Sequence, residues 1–358
     1  MWKNLSCPVH SQKQTERFFD LERLRDREAL KNPELTLSPL TGTVIIDKIQ
    51  LEPGLFEALR VLSDRRPQPA EFLILGSASP NLIKGCAETL AGRVEFIDLR
   101  GFTLSEVGND RIDLLWQRGC FPDSFLANSE KDSYIWRENF IRTFLERDLP
   151  AMGINIPPTR MRRFWTMLAH YHGCIWNASD LANSLGVAHT TTRAWLDILT
   201  GAFVIRQLPP WYENLGKRIV KSPKVYLRDS GLLHALLAIE YKQQMIGHPK
   251  LGASWKGFAM EEILALIEND KNAYFWSVHS GSELDLLVFL RGKRLGFEFK
   301  YSDAPSMTKS MRVVTSDLNL DHLYVVYPGE ASYRLDEKTE VIPLEKVSKR
   351  LQPPNEGF

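Results

Sequence analysis

Gly281-Ser282-Glu283-Leu284-Asp285-Leu286-Leu287-Val288, then Arg291-Gly292-Lys293-Arg294, then Leu295-Gly296-Phe297-Glu298-Phe299-Lys300 read as two strands joined by a tight, basic turn. Asp285 opens the apolar run Leu286 to Phe289. On the second strand, residues two apart share a face, so Glu298 and Lys300 point one way while Phe297 and Phe299 point into a core. A carboxylate on one strand beside a carboxylate and an amine on the next suits Mg²⁺-assisted phosphodiester hydrolysis. The acids hold a hard cation through oxygen, and the cation makes hydroxide from water near neutral pH. The lysine orients that water or offsets charge on the phosphate.

This Asp…Glu-x-Lys arrangement resembles the PD-(D/E)XK nuclease-like superfamily. The resemblance implies an upstream acid on a helix. Trp255-Lys256-Gly257-Phe258-Ala259-Met260-Glu261-Glu262-Ile263-Leu264 is helix-like, and the acid falls on Glu261. By that resemblance Glu261, Asp285 and Glu298 hold metal, and Lys300 stands beside the scissile phosphate.

Composition sets the frame for the remainder. The 358 residues are 44% hydrophobic and 25% charged, enough for two or three globular domains. A net charge of +1 confines any nucleic-acid contact to local basic patches. Cys7, Cys86, Cys120 and Cys174 lack pairing spacing, which predicts a reducing, cytoplasmic setting. Cys7-Pro8-Val9-His10 is half a zinc pattern with no second half. No apolar run approaches the roughly twenty residues of a membrane span, so no membrane partner is expected.

Toward the N-terminus, Thr41-Gly42-Thr43-Val44-Ile45-Ile46-Asp47 is a continuous apolar run ending in an acid, as a buried parallel strand reads. Phe72 to Pro80 and Val94 to Leu99 predict two more strands, and Leu55 to Leu62 a helix between the first two. The alternation is that of a βαβ sheet.

Here the chain is similar to a prokaryotic family that fuses an AAA-type ATPase module to a C-terminal domain of unknown function with the nuclease-like fold. The matching phrases are Phe18-Phe19-Asp20-Leu21-Glu22, Val44-Ile45-Ile46-Asp47, Leu75-Gly76-Ser77-Ala78-Ser79, Leu90-Ala91-Gly92-Arg93-Val94-Glu95, Lys224 to Gly231 and Arg137 to Asp148. The resemblance makes Asp47 the Mg²⁺-organising acid, Ser77 the polar sensor and Arg93 a phosphate-facing arginine. Where the family pattern has a water-polarising glutamate after that acid, this chain has Lys48, which cannot accept a proton while charged. No glycine precedes Gly42, so the glycine-rich phosphate loop is expected to be missing, with its strand and helix. A late start, a decaying module, or a protein partner completing the N-terminal sheet are the alternatives. The expectation is a nucleotide-site remnant that takes ATP only if that missing part is supplied.

After about residue 130 the pattern turns helical. Tyr134 to Leu149 predicts a helix ending at Pro150, and Pro158 opens another that buries Met161, Phe164, Trp165 and Leu168. Asn177 to Val187 and Thr190 to Leu199 predict two short helices around a Leu-Gly-Val turn, followed by a strand from Ala202 to Leu208. That succession reads as a helix-turn-helix with a wing. Thr190, Thr191 and Arg193 sit where a recognition helix meets duplex DNA, and Lys217, Arg218 and Lys221 make a stronger phosphate patch. A protein-packing role fits the same helices, because they carry a single arginine. Asp229 reads as a turn-capping acid.

The predicted fold is therefore α/β and multi-domain. A truncated P-loop-type parallel sheet occupies 1–130, a helical winged-helix middle 131–212, and a PD-(D/E)XK-like mixed α/β domain 213–358. Its function is that of an ATPase-family protein unable to use ATP as it stands, with a metal-dependent DNA endonuclease domain. The alternative is a non-catalytic DNA- or protein-binding regulator built on the same scaffold.

Overall fold

A computed structural model describes residues 16–76, 86, 88–212, 220–267, 272–278 and 281–352. The chain divides into two compact units, residues 1–98 and 99–358. The sequence placed the first boundary near 130 and another at 212; the break instead follows Asp98, and the second unit is not divided at 212. A single apolar core explains the latter: residues from Leu104 to Leu351 bury together, so middle helices and C-terminal sheet share one interior.

In the first unit, β1 (Arg17–Asp20), β2 (Gly42–Asp47) and β3 (Ala70–Ile74) pair in parallel, in that order. Helix α1 (Leu55–Ser63) buries Leu55, Phe56, Leu59 and Leu62 in the same core as Phe19, Val44 and Ile46. Among the described residues no element covers the opposite face. Phe18 pairs with Ile45 and Ile45 with Leu73 across the strands, and Phe18 and Leu73 are exposed. Parallel sheets ordinarily have both faces covered. Among the described residues neither β1 nor β3 has a second neighbour. The strand expected at Val94–Leu99 does not form: the segment has no ladder partner, and Phe96, Ile97 and Leu99 face solvent.

The second unit begins with helices α2 (Ile112–Arg118), α3 (Glu130–Thr143) and α4 (Pro158–His170). Met161, Phe164, Trp165 and Leu168 are fully buried, as their spacing on α4 required. The helix expected to stop at Pro150 instead runs past it. A widened turn at Phe144–Asp148 leads into a last turn, Leu149–Ala151, with Pro150 in its opening positions, where its missing N–H needs no partner.

Strand β4 (Cys174–Ile175), helices α5 (Ala178–Leu185) and α6 (His189–Gly201), and strands β5 (Ile205–Leu208) and β6 (Lys224–Leu227) follow. The strands form an antiparallel sheet, β4-β6-β5. Asn177 caps α5 by accepting the Ser179 N–H, and Gly186 ends it at φ 65°. The segment leaving β5 does not hang free. Trp211 N–H donates to the Phe275 carbonyl at 2.7 Å, and the Trp211 ring packs on Tyr274 and Phe289.

After α7 (Ser230–Leu236) comes α8 (Leu251–Ala265), apolar on nearly all sides. Then a six-stranded mixed sheet is laid down: β7 (Ala273–Ser277), β8 (Glu283–Leu290), β9 (Lys293–Phe299), β10 (His322–Tyr327), β11 (Tyr333–Arg334) and β12 (Thr339–Pro343). Its order is β11-β12-β10-β9-β8-β7, parallel at β9-β10 and β10-β12 and antiparallel elsewhere. Helices α8 and α10 (Leu344–Leu351) bury side chains in the core on one face, and α9 (Lys309–Asp317) in a second cluster. The basic turn between β8 and β9 has two residues, Arg291 at φ 50° and Gly292 at φ 75°, as a tight primed hairpin demands.

Candidate metal and phosphate site in the C-terminal sheet

The pairing of β8 with β9 puts Leu286 opposite Phe297 and so brings Asp285 toward Glu298, one position on. Against β7 the ladder slips. Tyr274 pairs with Leu287 but Trp276 pairs with Leu284, so β8 carries one extra residue at Asp285–Leu286. Such a bulge re-aims side chains. Here Leu284 and Leu287 join one apolar cluster, Leu286 and Val288 the other, and Asp285 is left to reach α8.

Asp285 is almost fully buried, and both its oxygens are engaged. Oδ1 accepts from Lys256 Nζ at 2.6 Å, and Oδ2 accepts from the Phe299 N–H at 3.2 Å. Lys224, itself buried on β6, lies 3.8 Å from Oδ1, donates to Glu283, and sits over the Phe275 ring. Burial would raise the Asp285 carboxyl, but the Lys256 and Lys224 ammoniums outweigh it and hold it below the ordinary range. Glu298 goes the other way. Burial first, and then the neighbouring Asp285 charge, push it up to about 8 against the pull of Lys300. Lys300 Nζ stands 3.2 Å from Glu298 Oε2 and is 41% exposed. Three lysines, Lys224, Lys256 and Lys300, thus lie against three acidic side chains, Glu283, Asp285 and Glu298.

Two coupled carboxyls, one low and one high, form a donor set suited to a Mg²⁺ ion that completes its shell with water and phosphate oxygens. No group of three or more His, Cys, Asp or Glu side chains suited to a metal occurs among the described residues, so any such ion rests on two protein carboxylates.

Glu261 stands apart from this pair, which corrects its expected place among the metal ligands. On α8 its carboxylate is gripped by Arg206 through two hydrogen bonds, with Arg228 at 3.7 Å and Arg100 at 3.9 Å. Burial opposes its charge, yet these guanidiniums hold it below its ordinary value. The α8 residue that does reach Asp285 is Lys256. Its signal lay in the sequence: a lysine among the apolar residues Trp255, Phe258, Ala259 and Met260 needs a buried partner.

Elsewhere the expected residues are scattered. Asp47 ends β2 beside Asp20 and accepts the Lys48 N–H at 2.8 Å. Lys48 adopts φ 63° there. Arg93, expected to face phosphate, instead forms a two-pronged pair with Asp64 at 2.6 and 3.0 Å. Ser77, Lys217 and Arg218 lie outside the described residues, as do Cys7 and His10. Thr190 and Arg193 are exposed and Thr191 half-buried on the first turns of α6, with Arg193 paired to Asp197. Lys221 is exposed. Asp229 is a cap: its carboxylate accepts the Leu232 N–H at 2.5 Å and the Cys120 N–H at 2.6 Å.

Comparison with known proteins fits this layout. A family model described as an AAA domain matches residues 4–108. Two domains of unknown function, DUF8612 and DUF4143, match 109–243 and 251–347. Uncharacterized proteins of Mycobacterium tuberculosis and Mycobacterium bovis are each 49% identical over 329 residues, covering 92% of this chain and 74% of theirs. The chain belongs to their family. In this chain an AAA domain precedes two domains of unknown function, and the second of those carries the Asp285–Glu298–Lys300 cluster. No solved structure matches the chain. No helix among the described residues is long and apolar enough to cross a membrane.

Proposed function

We propose that this AAA-family protein cuts phosphodiester bonds of duplex DNA with a divalent metal ion held at Asp285 and Glu298. The observation that carries this reading is the two buried carboxyls, Asp285 and Glu298, on adjacent strands, with the more exposed Lys300 3.2 Å from Glu298. A Mg²⁺ ion bound there supplies a hydroxide from water near neutral pH and a positive charge for the phosphate. The chain's own residues do the rest. The Phe299 N–H fixes Asp285 in orientation, and Lys300 orients the attacking water and neutralises a non-bridging oxygen. The half-exposed Lys300 ammonium draws the phosphodiester in.

In this reading the fold is of the nuclease-like kind, and α5, α6 and the β4-β6-β5 sheet form a winged helix that positions the duplex. Thr190, Thr191 and Arg193 meet it from the exposed start of α6, with Lys221 and the neighbouring Lys217 and Arg218 on phosphate. The wing's docking on β7 through Trp211 joins that module to the catalytic sheet. The AAA domain does not hydrolyse ATP unaided, since Lys48 follows Asp47 and Arg93 is held by Asp64. The Phe18–Ile45–Leu73 face and the strand edges, which no described residue covers, suit a protein segment that completes that sheet. The setting is cytoplasmic.

A specific observation supports a second reading, in which the chain is a non-catalytic DNA- or protein-binding regulator. Lys256 and Lys224 already neutralise Asp285 without a metal. Incubating the chain with plasmid and Mg²⁺ or Mn²⁺ separates the two. Cleavage that Asp285→Ala abolishes supports the nuclease. Salt-sensitive binding without cleavage, by well-folded protein, supports the regulator.

A further inference from the structure

Lys256 is placed where a cation entering the carboxyl pair must go. Its ammonium lies 2.6 Å from Asp285 Oδ1, the Asp285 oxygen not committed to backbone. Glu283 and Glu298 also feel its charge. The side chain is mostly buried on α8, and its ammonium lies in the acid cluster. A divalent ion reaching Asp285 Oδ1 would stand within a few ångströms of that ammonium and be repelled by it. A metal on Asp285 Oδ1 would compete with the Lys256 ammonium for the same oxygen.

We propose that Lys256 is a built-in competitor for the divalent ion, holding the site closed until metal, arriving with a phosphodiester, displaces its head from Asp285. The inference rests on the reading of Asp285 and Glu298 as a cation site. It makes Lys256 a positioning residue, one that sets metal affinity rather than touching the reacting atoms. The device has a physical rationale. An acid pair buried without a counter-cation is costly, and the lysine supplies one at rest. Because its stem is flexible beyond the helix, it releases the carboxylate with no movement of the sheet. Phosphate oxygens entering with the metal offer the displaced ammonium a new partner, which ties metal loading to substrate.

The test is Mn²⁺ binding to the full chain, followed by electron paramagnetic resonance of the free ion, for wild type, Lys256→Met and Asp285→Asn. The expected result is binding tighter by roughly tenfold or more in Lys256→Met, and loss of binding in Asp285→Asn. Equal affinity in wild type and Lys256→Met, with binding lost in Asp285→Asn, would overturn the lock and leave the cation site standing. Binding that Asp285→Asn leaves unchanged, or absent from every form, would overturn the site itself and the lock with it. Should Lys256→Met fail to fold, lysine acetylation of the wild type read by mass spectrometry decides the matter. Mn²⁺ should raise labelling of Lys256 severalfold; unchanged labelling under saturating Mn²⁺ would refute displacement.

Discussion

Replacing Glu298 by glutamine should stabilise the protein at pH 8.5, in chelator, and leave it nearly unchanged at pH 5. Glu298 is buried beside the ionised Asp285, and its carboxyl rises from 4.5 to about 8. A carboxyl whose folded value lies above its unfolded one contributes fully below the unfolded value and loses that contribution as pH climbs through the folded one. The window here runs from 4.5 to about 8. At about 1.4 kcal/mol per pH unit, the ionised side chain costs at most about 5 kcal/mol above that window. Loss of the contact with half-exposed Lys300 removes less than about 1 kcal/mol. Because Asp285 titrates with its neighbour, a net gain of roughly 2–4 kcal/mol is the realistic expectation. For a unit of this size that corresponds to a rise in Tm of roughly 5–15 °C. The assay is thermal unfolding of wild type and variant at both pH values, with EDTA present. Equal shifts at pH 5 and 8.5, or a variant that melts lower at pH 8.5, would refute the reasoning. Adding Mg²⁺ should then favour the wild type, the reverse of the metal-free order.

Other consequences follow from the same geometry. Glu261→Gln should leave Mn²⁺ affinity within about twofold of wild type, since its carboxylate serves Arg206; a large loss of affinity would return it to the metal site. Gly257→Ala should destabilise by roughly 1–3 kcal/mol or more, because a Cβ there would lie 2.2 Å from the buried His172 Nε2; chemical denaturation measures it. Titration calorimetry with Mg-ATP should show no saturable binding in the micromolar range, and saturable binding would restore a working nucleotide site.

The C-terminal hairpin was legible in the sequence because period-two alternation and the Arg291-Gly292 turn agree with each other. Helix α4 was legible because its four large apolar residues share one face. What stayed hidden has identifiable causes. The bulge at Asp285 depends on the length of β7 relative to β8, and no local pattern in either strand records it. Glu261 and Lys256 lie on one helix, and helical periodicity alone does not say which meets the sheet acids; the arginines from β5 and the end of β6 decide it. Val94–Leu99 has a strand's composition, but strand formation needs a neighbour to pair with. Pro150 looked like a helix stop because the widened turn that admits it follows from packing around Phe144 and Leu145.

The most direct measurement is single-turnover cleavage of a labelled duplex with Mn²⁺ by wild type and Lys300→Ala, with Mn²⁺ and duplex binding recorded in parallel. Lys300→Ala should keep both ligands and cut roughly a hundredfold or more slowly, because the lost ammonium acts on the reacting phosphate and water. Cleavage at the wild-type rate by Lys300→Ala, or none by a folded, metal-loaded wild type, would contradict that reading.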